Sequence, residues 1–154
     1  MKSPATATAS FSAPAVLGML LSAYPAGGLS DRLGRRPVGV FSGLLGAGGV
    51  LLILFFRGNY FLVITAAGLL GIAFGTFLSA NWALATDLVR SGEEGSYLRL
   101  CNMASAAGSA LARPIGLLID LFNGVRANSG YLVMLSICLI SLLLSSFLLA
   151  KQLK

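Results

Sequence analysis

Arg113 is the first residue in this sequence whose position calls for a chemical explanation. No other charge falls between Cys101 and Ile119. A charge at the centre of a spanning helix costs ~2.5–3.5 kcal/mol on insertion scales, so something must offset it. Pro114 follows and frees the carbonyl of Ala110 one turn earlier. Asp120 lies seven positions on, on the same helix face but about 10 Å along the axis. That is too far for a direct pair, although a water-filled path could couple the two. Two roles are open to Arg113. It faces a central cavity, where it binds substrate or gates a proton carboxylate, or it is a structural arginine bonded to neighbouring carbonyls. Histidine-based catalysis is excluded, since the chain has no histidine. No nucleotide loop and no intramembrane Asp/Glu pair is present, so no enzyme, resident cofactor or metal site is expected. Cys101 and Cys138 read as packing residues.

The elements that must hold these groups follow from the spacing of the charges. Of the 154 residues, 56% are hydrophobic and 10% charged, and mean hydropathy is +0.87. A soluble domain carries about 25% charged residues, so this chain cannot coat a soluble fold. Residues 3–30, 37–56, 58–86 and 127–150 hold no Asp, Glu, Lys or Arg. Roughly 20 helical residues cross a hydrocarbon core, and each run can do so once. The runs are apolar without the period of two that a barrel strand needs. An all-α integral membrane protein in a lipid bilayer is expected, a single transmembrane domain over 1–154. Its five helices are placed at roughly 8–27, 37–56, 61–87, 98–121 and 131–150.

Charge asymmetry orients them. One side holds Arg32, Arg35, Arg36, Arg90, Arg99, Lys151 and Lys154, seven of the eleven basic residues; the other holds Lys2, Arg57 and Arg126. The positive-inside rule makes the richer side cytoplasmic, with the N-terminus outside and the C-terminus inside a plasma or inner membrane. The net charge of +6 is thereby accounted for without a nucleic-acid partner. Arginines close behind the first apolar stretch favour a retained helix over a cleaved signal peptide.

Between the first two helices stands Gly27-Gly28-Leu29-Ser30-Asp31-Arg32-Leu33-Gly34-Arg35-Arg36-Pro37. Gly34 permits a tight turn, and Pro37 suits the first turn of the following helix. Asp31 is placed to meet the N–H groups of a helix N-terminus. Arg32, Arg35 and Arg36 can hold that carboxylate or meet lipid phosphates. The segment resembles the signature loop of the major facilitator superfamily, G-x-L-a-D-R-x-G-R-K, through Gly27, Leu29, Asp31, Arg32, Gly34, Arg35 and Arg36. The resemblance implies a secondary transporter working by alternating access, in which this Asp docks on a helix of the opposite six-helix half and latches the cytoplasmic side. Residues 71–120 look like the tenth and eleventh helices of facilitators near the sucrose–proton symporters. Asn81-Trp82-Ala83-Leu84, Thr86-Asp87, and Ala112-Arg113 leading into Pro114, Gly116 and Asp120 carry that likeness. It implies a sugar and a proton as substrates. Trp82 then either stacks on a sugar face or serves as an interfacial anchor. Asp87 is solvated or pairs with Arg90 or Arg99; Glu93 and Glu94 receive no role.

Five helices correspond to part of the family's twelve, with eight to twelve favoured over two to six. The N-terminal half, or a partner membrane protein, would supply the rest. A truncated or split transporter part serving as a membrane adaptor is the alternative. Small residues at i+4 spacing mark packing faces on two helices: Ala67, Gly71, Gly75, Ser79 and Ala83 on the third, Ala104, Gly108, Ala112 and Gly116 on the fourth. The last helix is Leu-rich without an internal glycine, and a peripheral place is expected for it.

Overall fold

The computed structural model describes residues 4–88, 94–125 and 128–151. Six helices follow one another: α1 (Pro4–Leu33), α2 (Arg35–Phe56), α3 (Tyr60–Leu88), α4 (Glu94–Ala112), α5 (Pro114–Val125) and α6 (Ser129–Lys151). Five stretches are long and apolar enough to cross a membrane: Thr8–Leu33, Arg35–Phe56, Tyr60–Leu84, Gly95–Gly124 and Ser129–Lys151. In lipid the backbone must satisfy its own hydrogen bonds, and these stretches do so as helices.

Two differences from the expected boundaries have local causes. The first helix does not stop at 27 but runs to Leu33. Gly27 and Gly28 lie inside a segment whose internal hydrogen bonding overrides their weak helix propensity. The helix expected over 98–121 is broken at Arg113 into α4 and α5, because Pro114 has no N–H to give to Ala110.

The chain divides into two compact units, Met1–Ala83 with Cys138–Lys154, and Leu84–Ile137. In the first, α1 and α3 touch backbone to backbone. A Cβ placed on Gly71 would fall on the carbonyl of Ala15, one on Gly75 would lie 2.5 Å from the Met19 oxygen, and one on Gly18 would lie 2.6 Å from that of Gly68. Ser22 Oγ donates across this seam to the Ile72 carbonyl at 3.2 Å. Ala66 and Ala67 are wholly buried. α2 packs on α6 through Gly39, Gly43 and Gly46, which face Leu149, Ser146 and Leu142 in turn. That register makes the two helices antiparallel. α3 is capped by Asn59, whose Oδ1 accepts from Phe61 N at 3.1 Å and Leu62 N at 3.4 Å.

In the second unit, Asn128 takes a positive φ of 67°, which Asn tolerates. The turn there brings Gly130 onto the backbone of Ile119. Gly130 N donates to Asn123 Oδ1 at 3.0 Å, and Ser129 Oγ to the Phe122 carbonyl at 2.5 Å.

Candidate functional site

The signature segment is a corner rather than a loop. Gly34 alone stands outside the helices, at φ 92° and ψ 148°, a region that side-chain-bearing residues rarely occupy. A single residue therefore separates the end of α1 from the start of α2. Asp31 and Arg32 form the last turn of α1, and Arg35 and Arg36 the first turn of α2. Arg32 suits the negative end of its helix, and Asp31 stands within a turn of the positive end of α2. The Asp31 carboxylate is 69% exposed and lies 3.8 Å from Arg35 Nη2, whose side chain is 24% exposed. Gly27 lies against α3, where a Cβ would be 3.5 Å from Ser79 Oγ. Next to Asp31, Ser30 is 1% exposed, and its Oγ has no hydrogen-bond partner among the described residues. The corner thus combines one exposed carboxylate, three arginines and a turn that only glycine makes without strain.

The second set of candidates lies on α4 and α5. Arg113 is exposed, and among the described residues its side chain makes no ion pair or hydrogen bond. Its carbonyl accepts from Gly116 N at 3.3 Å, closing a turn over the break. Asp120 is exposed on α5, across the break from Arg113. Ala104, Gly108, Ala112 and Gly116 are all exposed, and nothing comes within 4 Å of a Cβ on Gly108 or Gly116.

Beside this open ridge runs a feature that counting charges overlooks. Asn102, Ser105, Ser109 and Arg113 follow one another at three- and four-residue steps, all exposed. Such residues share one helix face. Ser109 Oγ donates to the Ser105 carbonyl at 2.9 Å, and Arg99 extends the stripe one turn further. The signal was in the sequence, as hydroxyls and an amide counted back from Arg113 in helical steps. Being uncharged, they pass as filler in an apolar run. A stripe of this kind can line a wet path, because the Asn102 amide and the Arg113 guanidinium would be unsatisfied facing hydrocarbon, although Ser109 bonds its own helix.

The remaining candidates are placed apart. Asn81 is exposed and Trp82 half-exposed on α3, while the neighbouring Ala80 is buried. Asp87 is exposed in the last turn of α3. Of its two expected partners, Arg90 lies outside the described residues. Arg99 instead turns its guanidinium to its own helix, donating from Nε to the Gly95 carbonyl at 3.1 Å and from Nη2 to Ser96 Oγ at 3.4 Å. Glu93 and the basic residues Lys2, Arg126 and Lys154 also lie outside the described residues.

The family model described as Major Facilitator Superfamily matches residues 2–153. No curated protein matches, and no solved structure matches. The match covers nearly the whole chain, and it agrees with the five membrane-length stretches and the Asp–Arg corner between the first two. The chain belongs to the major facilitator superfamily, whose members carry small solutes across membranes.

Proposed function

We propose that this chain serves secondary active transport by alternating access, with a polyhydroxylated solute such as a sugar moved together with a proton, and that the outward face of α4 lines the path. The observation that carries the reading is the stripe Asn102–Ser105–Ser109–Arg113, exposed along a stretch of membrane length in which no residue is buried. Hydroxyls and an amide suit a solute that both donates and accepts hydrogen bonds. Arg113 supplies the fixed positive charge against which a proton-carrying carboxylate, with Asp120 as the candidate on this chain, changes state. Asn81 and Trp82 offer an amide and an aromatic face, the pairing that a sugar ring uses. Asp31, Arg32, Arg35 and Arg36 around Gly27 and Gly34 form the gate on the cytoplasmic side, in a plasma or inner membrane with the N-terminus outside. The bare ridge on α4 leaves room for a second half of the transporter, on the same or another polypeptide.

The test is uptake of labelled sugars by cells expressing the protein from its own locus, with and without an imposed proton gradient. Arg113→Ala is expected to cut initial uptake at least about tenfold and to flatten its dependence on external pH. Uptake and pH profile both unchanged would remove Arg113 from the path. No gradient-dependent uptake of any sugar by the unaltered protein would overturn the sugar–proton assignment.

A further inference from the structure

Tyr24 is the most exposed large apolar or aromatic side chain among the described residues, at 93%, and it stands inside a membrane-length helix. Nine residues, about 14 Å of helix, separate it from Leu33 at the end of α1. A tyrosine of an interfacial belt holds its hydroxyl at headgroup level. Helical side chains lean toward the N-terminus of their own helix, so this phenol is carried away from the Asp31 end and deeper into the stretch Thr8–Leu33. Its side chain bonds to none of the described residues. Pro25 follows within the helix and has no N–H to give to the Leu21 carbonyl. Ser22, the adjacent hydroxyl, donates to the Met19 and Ile72 carbonyls instead. Leu21, Tyr24 and Pro25 are all exposed. Facing hydrocarbon, the phenol and the freed carbonyl would both lack partners; facing water, both are satisfied.

Leu21, Tyr24, Gly28 and Asp31 lie on one face of α1, about 200° round the helix from Ala15, Gly18 and Ser22, which pack on α3. Nothing comes within 4 Å of a Cβ on Gly28. The arrangement occurs twice in the chain. Tyr24-Pro25-Ala26-Gly27-Gly28-Leu29-Ser30-Asp31 aligns with Arg113-Pro114-Ile115-Gly116-Leu117-Leu118-Ile119-Asp120, with proline, glycine, leucine and aspartate in step. In each copy an exposed side chain with a polar tip precedes the proline and bonds to none of the described residues. Tyr24 thus holds in α1 the place that Arg113 holds before α5.

We propose that Tyr24 is a solute-binding residue: its phenol faces a water-filled path, and its hydroxyl bonds the carried solute. The contact with a polyhydroxylated solute rests on the transport reading above. The ring offers an apolar face, and the hydroxyl both donates and accepts.

The test is thiol labelling of Tyr24→Cys in permeabilised cells with a charged, membrane-impermeant methanethiosulfonate. Peptide mass spectrometry locates the adduct, so Cys101 and Cys138 do not interfere. Leu144→Cys is the control, exposed on α6 and seven residues from Lys151, as Tyr24 is from Asp31. A thiol reacts as thiolate, which hydrocarbon suppresses, so position 24 should label at least about tenfold faster than position 144. Equal rates at the two positions, fast or slow, would overturn the proposal. Tyr24→Phe keeps the ring and removes one hydrogen bond, so KM for the carried solute should rise about fivefold with kcat kept. An unchanged KM would overturn the solute contact. Fast labelling at position 24 in a protein that takes up no sugar would uphold the path and overturn the sugar assignment alone.

Discussion

The small-residue ridges of α3 and α4 have the same spacing and opposite fates. On α3, Ala67 is fully buried, and Gly71 and Gly75 take the backbone of Ala15 and Met19 where any Cβ would collide. On α4, Ala104, Gly108, Ala112 and Gly116 lie open. Apolar character does not drive helices together in lipid, where the tails are as apolar as leucine. A ridge of small residues permits close approach, and a complementary backbone must come to it. α3 finds that backbone in α1. The α4 ridge finds none among the described residues, and it is the one flanked by hydroxyls, an amide and an arginine.

Matched substitutions test this contrast most severely. Gly71→Leu would drive a side chain into the Ala15 main chain, where the Cβ alone lies 2.7 Å from the carbonyl carbon and 2.8 Å from Cα. Backbone cannot yield as a side chain does, so a loss of about 4 kcal/mol or more is expected, a large fraction of an ordinary domain's stability of about 5–15 kcal/mol. Gly108→Leu meets open space and should stay within about 0.5 kcal/mol. Denaturant unfolding in micelles, followed by circular dichroism, compares the two. Equal losses would mean that α4 is packed after all and would erase the distinction.

Arg113 sharpens the same contrast. The stretch Gly95–Gly124 has a hydropathy of 1.2, against 2.2 for Tyr60–Leu84, and the arginine is part of the reason. Arg113→Leu should make the isolated 95–124 segment insert more favourably by about 3 kcal/mol, read as the inserted fraction in a glycosylation-based assay. A change below about 1 kcal/mol would show that the guanidinium already reaches water or headgroups. Such an arginine would not sit at mid-membrane, and the path assigned to its face would be lost.

The five membrane crossings were legible because hydrocarbon thickness and charge leave long unbroken runs, and the Pro114 position already marked a freed carbonyl. Less legible was the corner at Gly34. A G-x-L-x-D-R stretch rich in glycine reads as a loop, but a helix inside a membrane carries its glycines, and the chain turns at Gly34 alone, with its positive φ. Which ridge would be covered was not legible either. The i+4 spacing is identical, and the decision lies in where Pro14–Ser22 of α1 comes to rest, a tertiary outcome that no local period encodes. The Ser105–Ser109–Arg113 stripe was readable in principle, since its spacing is helical and only its lack of charge hid it.

The corner supplies the smallest expected effect on stability and for that reason the cleanest separation of roles. Asp31 is 69% exposed and 3.8 Å from Arg35, a length and exposure at which an ion pair contributes at most about 0.5 kcal/mol. Asp31→Asn keeps the size of the side chain and removes its charge. Its unfolding free energy should match the unaltered protein within about 0.5 kcal/mol, in contrast to Gly71→Leu a few turns away in the same unit. If stability falls by more than about 1 kcal/mol, the carboxylate is a structural clamp on the α1–α2 corner and the gate assignment loses its basis. If stability holds while gradient-driven uptake falls, the charge acts in a state other than the one described here, as a latch must. An exposed carboxylate that the fold does not need, beside a glycine corner and three arginines, is where a contact made in only one conformation can be kept without cost to the other.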